Sequence, residues 1–173
     1  MLRGTAGLPT TTTTGTGGIV RDTSPTITTP NIVGTATNDN AAAGSVGQYV
    51  EAEVLIASAV TLTTATPANV TSISLTAGDW DVSGNVCTDV AGGTVLTSVE
   101  SAINTTSATL PTRPGKGSNQ KWDGSLTGTN LGFPVGTRRL SLSATTTVYL
   151  VTSMAFTTST CKAFGFLGAR RVR

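Results

Sequence analysis

Short runs in which apolar and polar residues alternate fill the chain from Val46 onward, and this two-residue period is typical of β-strands. No segment carries the apolar stripe, at three- and four-residue spacing, that a long amphipathic helix needs. Several short strands separated by turn signals predict an all-β fold, either a sandwich or a barrel. The predicted strands are residues 48–58, 59–65, two within 68–91, 93–106 (with a weaker helix option) and the closing segment 139–173.

The alternation also predicts which side chains point inward. The two strands within residues 68–91 meet at a tight-turn signal, Ala77-Gly78-Asp79. One face of the second strand is predicted to hold Trp80, Val82, Gly84 and Val86, so we expect Trp80 in the core. Asp79 and Asp81 flank Trp80 and are therefore expected to point outward. The closing segment also shows the two-residue period, because polar or small residues alternate with its large apolar ones: Leu140 and Leu142, Val148 and Leu150, Phe164 and Phe166.

Residues 111–136 concentrate Pro, Gly, Lys and Asn, and we predict that they form a long loop. Within it, Trp122 lies beside Lys121 and Asp123, a short distance after Lys116. An exposed tryptophan stacks well on a sugar or on another protein, so these four residues are a candidate surface-recognition loop. The alternative is that Trp122 folds back and covers a small core.

Residues 1–45 differ from the rest of the chain, because Thr, Gly and Pro leave them little to bury. Pro25 and Pro30 favour extended geometry in the residues before them. We predict an extended arm that docks on a partner and is followed by a head domain, residues 46–173. The candidate docking residues are Ile19, Val20, Pro25, Ile27, Pro30, Ile32 and Val33. The alternative is a disordered tail.

Composition narrows the choice of partners. A chain of 173 residues is normally one domain, and its net charge of +2 argues against a dedicated nucleic-acid binder. There is no apolar run long enough to span a membrane, and the N-terminus lacks the apolar core of a signal peptide. We therefore expect a protein that is assembled in a cytoplasm. The basic residues Arg138, Arg139, Arg170, Arg171 and Arg173 are expected to be solvated or salt-bridged.

The chain offers little for catalysis, since histidine is absent. Two carboxylate pairs share a strand face, Glu51 with Glu53 and Asp79 with Asp81, and solvated or inter-subunit positions explain them better than a glycosidase site. Cys87 and Cys161 are expected to be reduced, half-buried thiols, although a disulfide between strands stays open. We predict no enzyme, no cofactor and no metal site.

The stretch TGTGGIVRDTSPTITTPNIVG, residues 14–34, resembles a connector of bacteriophage tail-fibre and other virion appendage proteins. The resemblance lies in the elements Ser24-Pro25-Thr26 and Thr29-Pro30-Asn31. In those proteins the connector links a particle-docking end to a distal trimeric domain. The resemblance thus implies that residues 1–45 bind other virion proteins, such as those of the capsid, collar or tail.

The stretch ISLTAGDWDVSGNV, residues 73–86, resembles the middle strands of trimeric jelly rolls related to the C1q and tumour-necrosis-factor heads. Residues 139–156 and 163–172 resemble the last strands of that fold. Here Ala144-Thr145-Thr146 replaces the family's Gly-Asp turn, and residues 93–136 match poorly. The resemblance implies an antiparallel, jelly-roll-like β-sandwich head that assembles into a homotrimer.

Together these observations favour a non-enzymatic structural protein of a bacteriophage particle, located in the virion. The favoured form is a fibre- or spike-type appendage, whose head contacts a host-surface glycan or protein. A capsid decoration or cement protein is the alternative, and chain length favours it. A bacterial surface adhesin would also explain the richness in Thr and Gly, but it requires an export signal that the sequence does not display.

Overall fold

Nine β-strands make up most of the computed structural model, which describes residues 34, 36–113, 119–127 and 130–173. The strands are β1 (Tyr49–Val54), β2 (Val60–Thr61), β3 (Ala68–Leu75), β4 (Gly78–Val90), β5 (Val95–Asn104), β6 (Asn119–Thr127), β7 (Gly132–Leu142), β8 (Thr146–Thr157) and β9 (Cys161–Arg171). In the described ranges the one helical element is a 3-10 turn, Ile56–Ser58. No helix there is long and apolar enough to cross a membrane. The prediction of an all-β chain is confirmed.

The chain divides into two units, Met1–Thr37 and Asn38–Arg173. Only Gly34, Ala36 and Thr37 of the first unit are described. All strands belong to the second unit, so the fold is that of residues 38–173.

The strands form two antiparallel sheets in the order of a jelly roll. The first sheet is β1-β9-β4-β7, with the short β2 also paired to β9, and the second is β3-β8-β5-β6. Consecutive strands from β3 onward pass between the sheets or pair as neighbours, which gives a five-stranded and a four-stranded layer from one Greek-key path. The expectation of an antiparallel, jelly-roll-like sandwich is thereby confirmed.

The core lies between the sheets and is built by the predicted alternation. Trp80, Val82 and Val86 of β4 are fully buried, as expected for one inward face. They pack against residues of the opposite sheet that include Leu96, Val99, Ile103, Val148, Leu150 and Met154. Each such side chain contributes roughly 1.5–3 kcal/mol when it is fully buried. The turn at residues 77–79 also forms as predicted, because β3 ends at Leu75 and β4 begins at Gly78.

In β9 two alanines and a leucine, rather than the phenylalanines, face the core. Ala163, Leu167 and Ala169 are buried, whereas Phe164 and Phe166 lie half-exposed on the outer face of the first sheet. Gly165 allows β9 to approach β4 closely, since a Cβ atom at this position would overlap the carbonyl oxygen of Asn85. The alternation therefore identifies β9 as a strand but not which of its faces is inward.

The prediction of a long loop over residues 111–136 is wrong, because residues 119–127 form β6 and β7 begins at Gly132. Trp122 and Leu126 of β6 pack partly buried against the core. Between them, Gly124 lies directly under the indole ring of Trp122. A glycine at the central inward position concealed the alternation of this strand, and the neighbouring Pro and Gly residues suggested a loop.

The segment that follows β5 covers part of the outer face of the second sheet. It bonds back to β3, where the Asn69 side chain donates to Ser107 Oγ (2.7 Å) and accepts from the Ala108 amide (2.7 Å). Val151 and Ala102 point toward this side by the alternation, yet both are fully buried. Arg113 of the same segment pairs with Glu100 of β5 (3.4 Å), so the segment lies over part of the outer face of the second sheet.

Candidate functional site

The end of the chain is fastened to the turn between β3 and β4. The Asp79 carboxylate accepts from Arg139 (3.0 Å) and from Arg173, and it is only 3% exposed. The backbone of Asp79 also pairs with the tail, because the Val172 amide donates to its carbonyl (2.9 Å). A hydrogen bond from Ser141 and the Arg139 guanidinium lower the pKa of Asp79 to about 2. The expectation that Asp79 points into solvent is therefore wrong, since the tail covers it; Asp81 is exposed as expected.

Arg171 is buried rather than solvated or salt-bridged. Its guanidinium lies 4.4 Å from the centre of the Trp80 ring and donates to the Ala77 carbonyl (2.9 Å). The same guanidinium also donates hydrogen bonds to Thr76 Oγ1 and Gln48 Oε1. Arg171 thus holds the β3–β4 turn and the start of β1 together, which is a structural role.

Residues 38–48, called the wall, border the outer face of the first sheet beside β1. The Asn40 side chain bonds to the backbone of Tyr49 as a neighbouring strand would. It donates to the Tyr49 carbonyl (2.6 Å) and accepts from the Tyr49 amide (2.8 Å). The following turn is bonded internally through Gln48, whose Oε1 accepts from the Gly44 amide (2.8 Å). These contacts hold residues 38–48 against the edge of the sheet.

Three side chains on the sheet face the wall. Partial burial and the Glu51 carboxylate, which accepts a hydrogen bond from the Tyr49 hydroxyl, raise the pKa of Tyr49. The Arg170 guanidinium lies 5.8 Å from the centre of the Tyr49 ring. Beneath them is Gly168, where a Cβ would overlap the Tyr49 hydroxyl and lie 2.8 Å from the Phe166 ring. Glycine at this position lets both aromatic rings lie down on the sheet.

The wall and the sheet form an open groove of about 540 Å³, which is called the β1 groove. Its lining comprises Asn38, Asp39, Asn40, Ala41, Gly47, Tyr49, Glu51 and Arg170. A second concavity of about 310 Å³ lies next to it and shares Glu51, and it is lined further by Ala52, Glu53 and Phe166. As expected, Glu51 and Glu53 share the outer face of the strand and are exposed.

The other end of β1 is apolar and exposed. Leu55 is 61% and Ile56 48% exposed, although both are large hydrophobic residues. Val54 pairs with Gly165, so these residues lie beside the half-exposed Phe164. Leu55, Ile56 and Phe164 are called the apolar end.

The candidate recognition residues lie on the other sheet. Lys121, Trp122 and Asp123 belong to β6, and Lys116 falls outside the described residues. Trp122 is half-buried, and its ring centre lies 6.4 Å from that of Phe133. Of the two alternatives, the indole therefore covers the core; Lys121 and Asp123 form an exposed ion pair of 3.0 Å. A recognition role for these residues stays a prediction.

The two cysteines are free. Cys87 pairs with Phe164 and Cys161 with Val90, so they lie three residues apart along neighbouring strands, or about 10 Å. A disulfide needs Cα atoms within about 7 Å, so these two cannot be bridged. Burial, with a smaller effect of Asp89, raises the pKa of the Cys161 thiol to about 11. In the part of the chain that is described, no cluster of three or more His, Cys, Asp or Glu residues could hold a metal ion.

The predicted docking residues of the arm, from Ile19 to Val33, all lie outside the described residues. The sequence reasoning passed over Tyr49, Phe166 and Arg170, which the structure brings together on one face. Tyr49, Glu51 and Glu53 lie two residues apart along β1 and therefore share one face of the strand. This spacing was the available signal for a shared outer surface. Nothing in the sequence indicated that Arg170 lies over Tyr49, because that depends on the pairing of β1 with β9.

No protein-family model matches the sequence, and no curated protein is significantly similar to it. Solved structures that resemble the fold include a chain of infectious bursal disease virus, Gx strain, with TM-score 0.46 and 12% identity over 83% of this chain and 37% of that one. A chain of the T13 particle of the same virus gives 0.44 and 12%, over 83% and 36%. This chain spans little more than a third of the length of those virus chains, and at such scores the likeness supports no statement about function.

Proposed function

We propose that the protein is a non-enzymatic structural protein of a bacteriophage particle. It is a fibre- or spike-type appendage: residues 1–45 dock on the virion, and a trimeric jelly-roll head, residues 46–173, is displayed outside. The observation that carries this proposal is the outer face of the first sheet. That face is open and holds the apolar end and the β1 groove, while part of the opposite face is covered by the segment that follows β5.

The apolar end supports self-association. Exposed hydrophobic residues that lie together mark interaction surfaces, and interface cores are enriched in aromatic residues. Leu55 and Ile56 project from the edge of the sheet beside Phe164, so a second copy of the head would remove all three from water. The resemblance of residues 73–86 to trimeric jelly rolls makes three copies the expected number.

Sedimentation equilibrium of the full chain tests the assembly. We expect a mass three times that of the 17.4 kDa chain. Leu55→Ser combined with Ile56→Ser should weaken the association by at least tenfold, whereas Val46→Ser, at an exposed apolar position (68%) away from the apolar end, should leave it unchanged. A wild-type monomer at micromolar concentration would contradict the trimeric head.

Mass spectrometry and immunogold microscopy of particles purified from the source phage test the location. We expect the protein in stoichiometric amounts, with label at the tail or the collar. Uniform label over the head shell would instead favour the decoration protein, an alternative that the short chain supports. Absence from the particles would refute both roles.

A further inference from the structure

The β1 groove combines hydrogen-bond donors and acceptors in one small space. Asp39 and Glu51 supply carboxylate oxygens, and Arg170 supplies guanidinium donors. Asn38 offers both kinds of group. A ligand that matches this lining must itself carry donors and acceptors close together, and hydroxyl groups do so because each is both.

The charges in the groove disfavour simple ions. An anion that approaches Arg170 meets Asp39 and Glu51, and a cation that approaches the carboxylates meets Arg170. An apolar ligand is disfavoured too, since burying these charged groups without partners costs several kcal/mol, on the order of 2–7 for each polar group. The lining thus selects a neutral, polar ligand.

Aromatic rings complete the surface. Tyr49 lies within the groove, and Phe166 lines the concavity that continues it past Glu51. Such rings pack against the C–H groups of a ring-shaped polar ligand while the polar side chains bond its edge. The groove, about 540 Å³, falls in the range of about 300–1,000 Å³ that is usual for ligand sites.

The walls of the groove are held in place before any ligand arrives. Asn40 fixes its own segment to Tyr49 through two hydrogen bonds, and the Arg170 guanidinium lies 5.8 Å from the centre of the Tyr49 ring. Because these groups are already ordered, a ligand does not have to immobilise them on binding.

From this lining we propose that the β1 groove binds a saccharide, a neutral polyhydroxylated ring ligand, through Asp39, Tyr49, Glu51 and Arg170. The biological meaning of the site rests on the proposed function, in which the head is displayed on a particle. The site itself stands on the lining alone.

Saturation-transfer NMR on the full chain tests the proposal. The probes are neutral mono- and oligosaccharides of glucose, galactose, mannose and N-acetylglucosamine, with a sulfated oligosaccharide and an oligolysine peptide as charged comparisons. Titration calorimetry then compares the wild type with Asp39→Asn and Glu51→Gln. The matched control is Asp89→Asn, which changes a partly exposed carboxylate (32%) of β4 that pairs with Lys162, at the opposite end of β9 from Arg170.

We expect binding of at least one neutral saccharide, weakened by at least tenfold in Asp39→Asn and in Glu51→Gln and by less than twofold in Asp89→Asn. Because both groove carboxylates are exposed, all variants should unfold at the wild-type temperature. Binding of a charged probe alone, no saccharide binding, or equal loss in all three variants would overturn the proposal. Presence of the protein in particles is measured independently, so failure of the site and failure of the proposed function are distinguishable.

Discussion

The two outer faces of the sandwich are built differently. The second sheet is covered in part by the segment after β5, and its remaining surface carries hydroxyl groups, the half-buried Tyr149 and the Lys121–Asp123 ion pair. The first sheet is open and displays Tyr49, Phe164, Phe166 and Arg170. In a chain with so few aromatic residues, three of them on one uncovered face make the first sheet the surface more available to partners.

The largest expected effect is at Gly165, on which the open sheet depends. Gly165→Ala should lower the free energy of unfolding by about 3 kcal/mol, because the new Cβ overlaps the backbone of β4. Urea denaturation followed by tryptophan fluorescence measures this. Gly92→Ala is the matched control, since a Cβ there meets nothing within 4 Å, and equal stability of both variants would contradict the close approach of β9 to β4.

Asn69→Ala should expose the covered part of the second sheet. The substitution removes both hydrogen bonds that tie residues 107 and 108 to β3, and we expect a loss of about 1–2 kcal/mol. Hydrogen exchange of residues 105–113 should accelerate more than that of β4. Ser74→Ala, at an exposed position of the same strand, serves as control; unchanged exchange in Asn69→Ala would show that the segment is held by other contacts.

The lowered pKa of Asp79 predicts acid sensitivity of the tail. A folded pKa of about 2, below the ordinary value of 3.8, means that Asp79 stabilises the fold above about pH 4 and that this stabilisation is lost as the pH falls from 4 to 2. Asp79→Asn should flatten the pH dependence of the unfolding midpoint in that window. Asp81→Asn should retain it, and identical profiles for both variants would argue against the Asp79 cluster.

The smallest effect is a difference in reactivity between the two thiols. It distinguishes the outer face of the first sheet from the core without altering stability. Cys87 is half-exposed on the outer face of the first sheet, whereas Cys161 is buried and its pKa is raised to about 11. A thiol reagent at pH 8 should modify one cysteine per native chain and two in denaturant. Cys87→Ser should abolish the native reaction; rapid modification of Cys161 would contradict its burial.

The sequence alone determined the strands of most of the head and the identity of much of its core. Where apolar and polar or small residues alternate, as around Trp80, burial of one face leaves only one possible inward set of side chains. The prediction failed at β6, because Gly124 interrupts the apolar face and its role is visible only with Trp122 lying over it.

Tertiary structure decided the rest, and above all the site. The two phenylalanines of β9 alternate with small residues, so either face is compatible with the pattern until the fit against β4 at Gly165 is known. Asp79 is buried because a tail nearly a hundred residues later returns to it. The β1 groove likewise joins Asp39, Tyr49 and Arg170 through strand pairing, and contacts between residues so distant along the chain are set by topology rather than by local pattern.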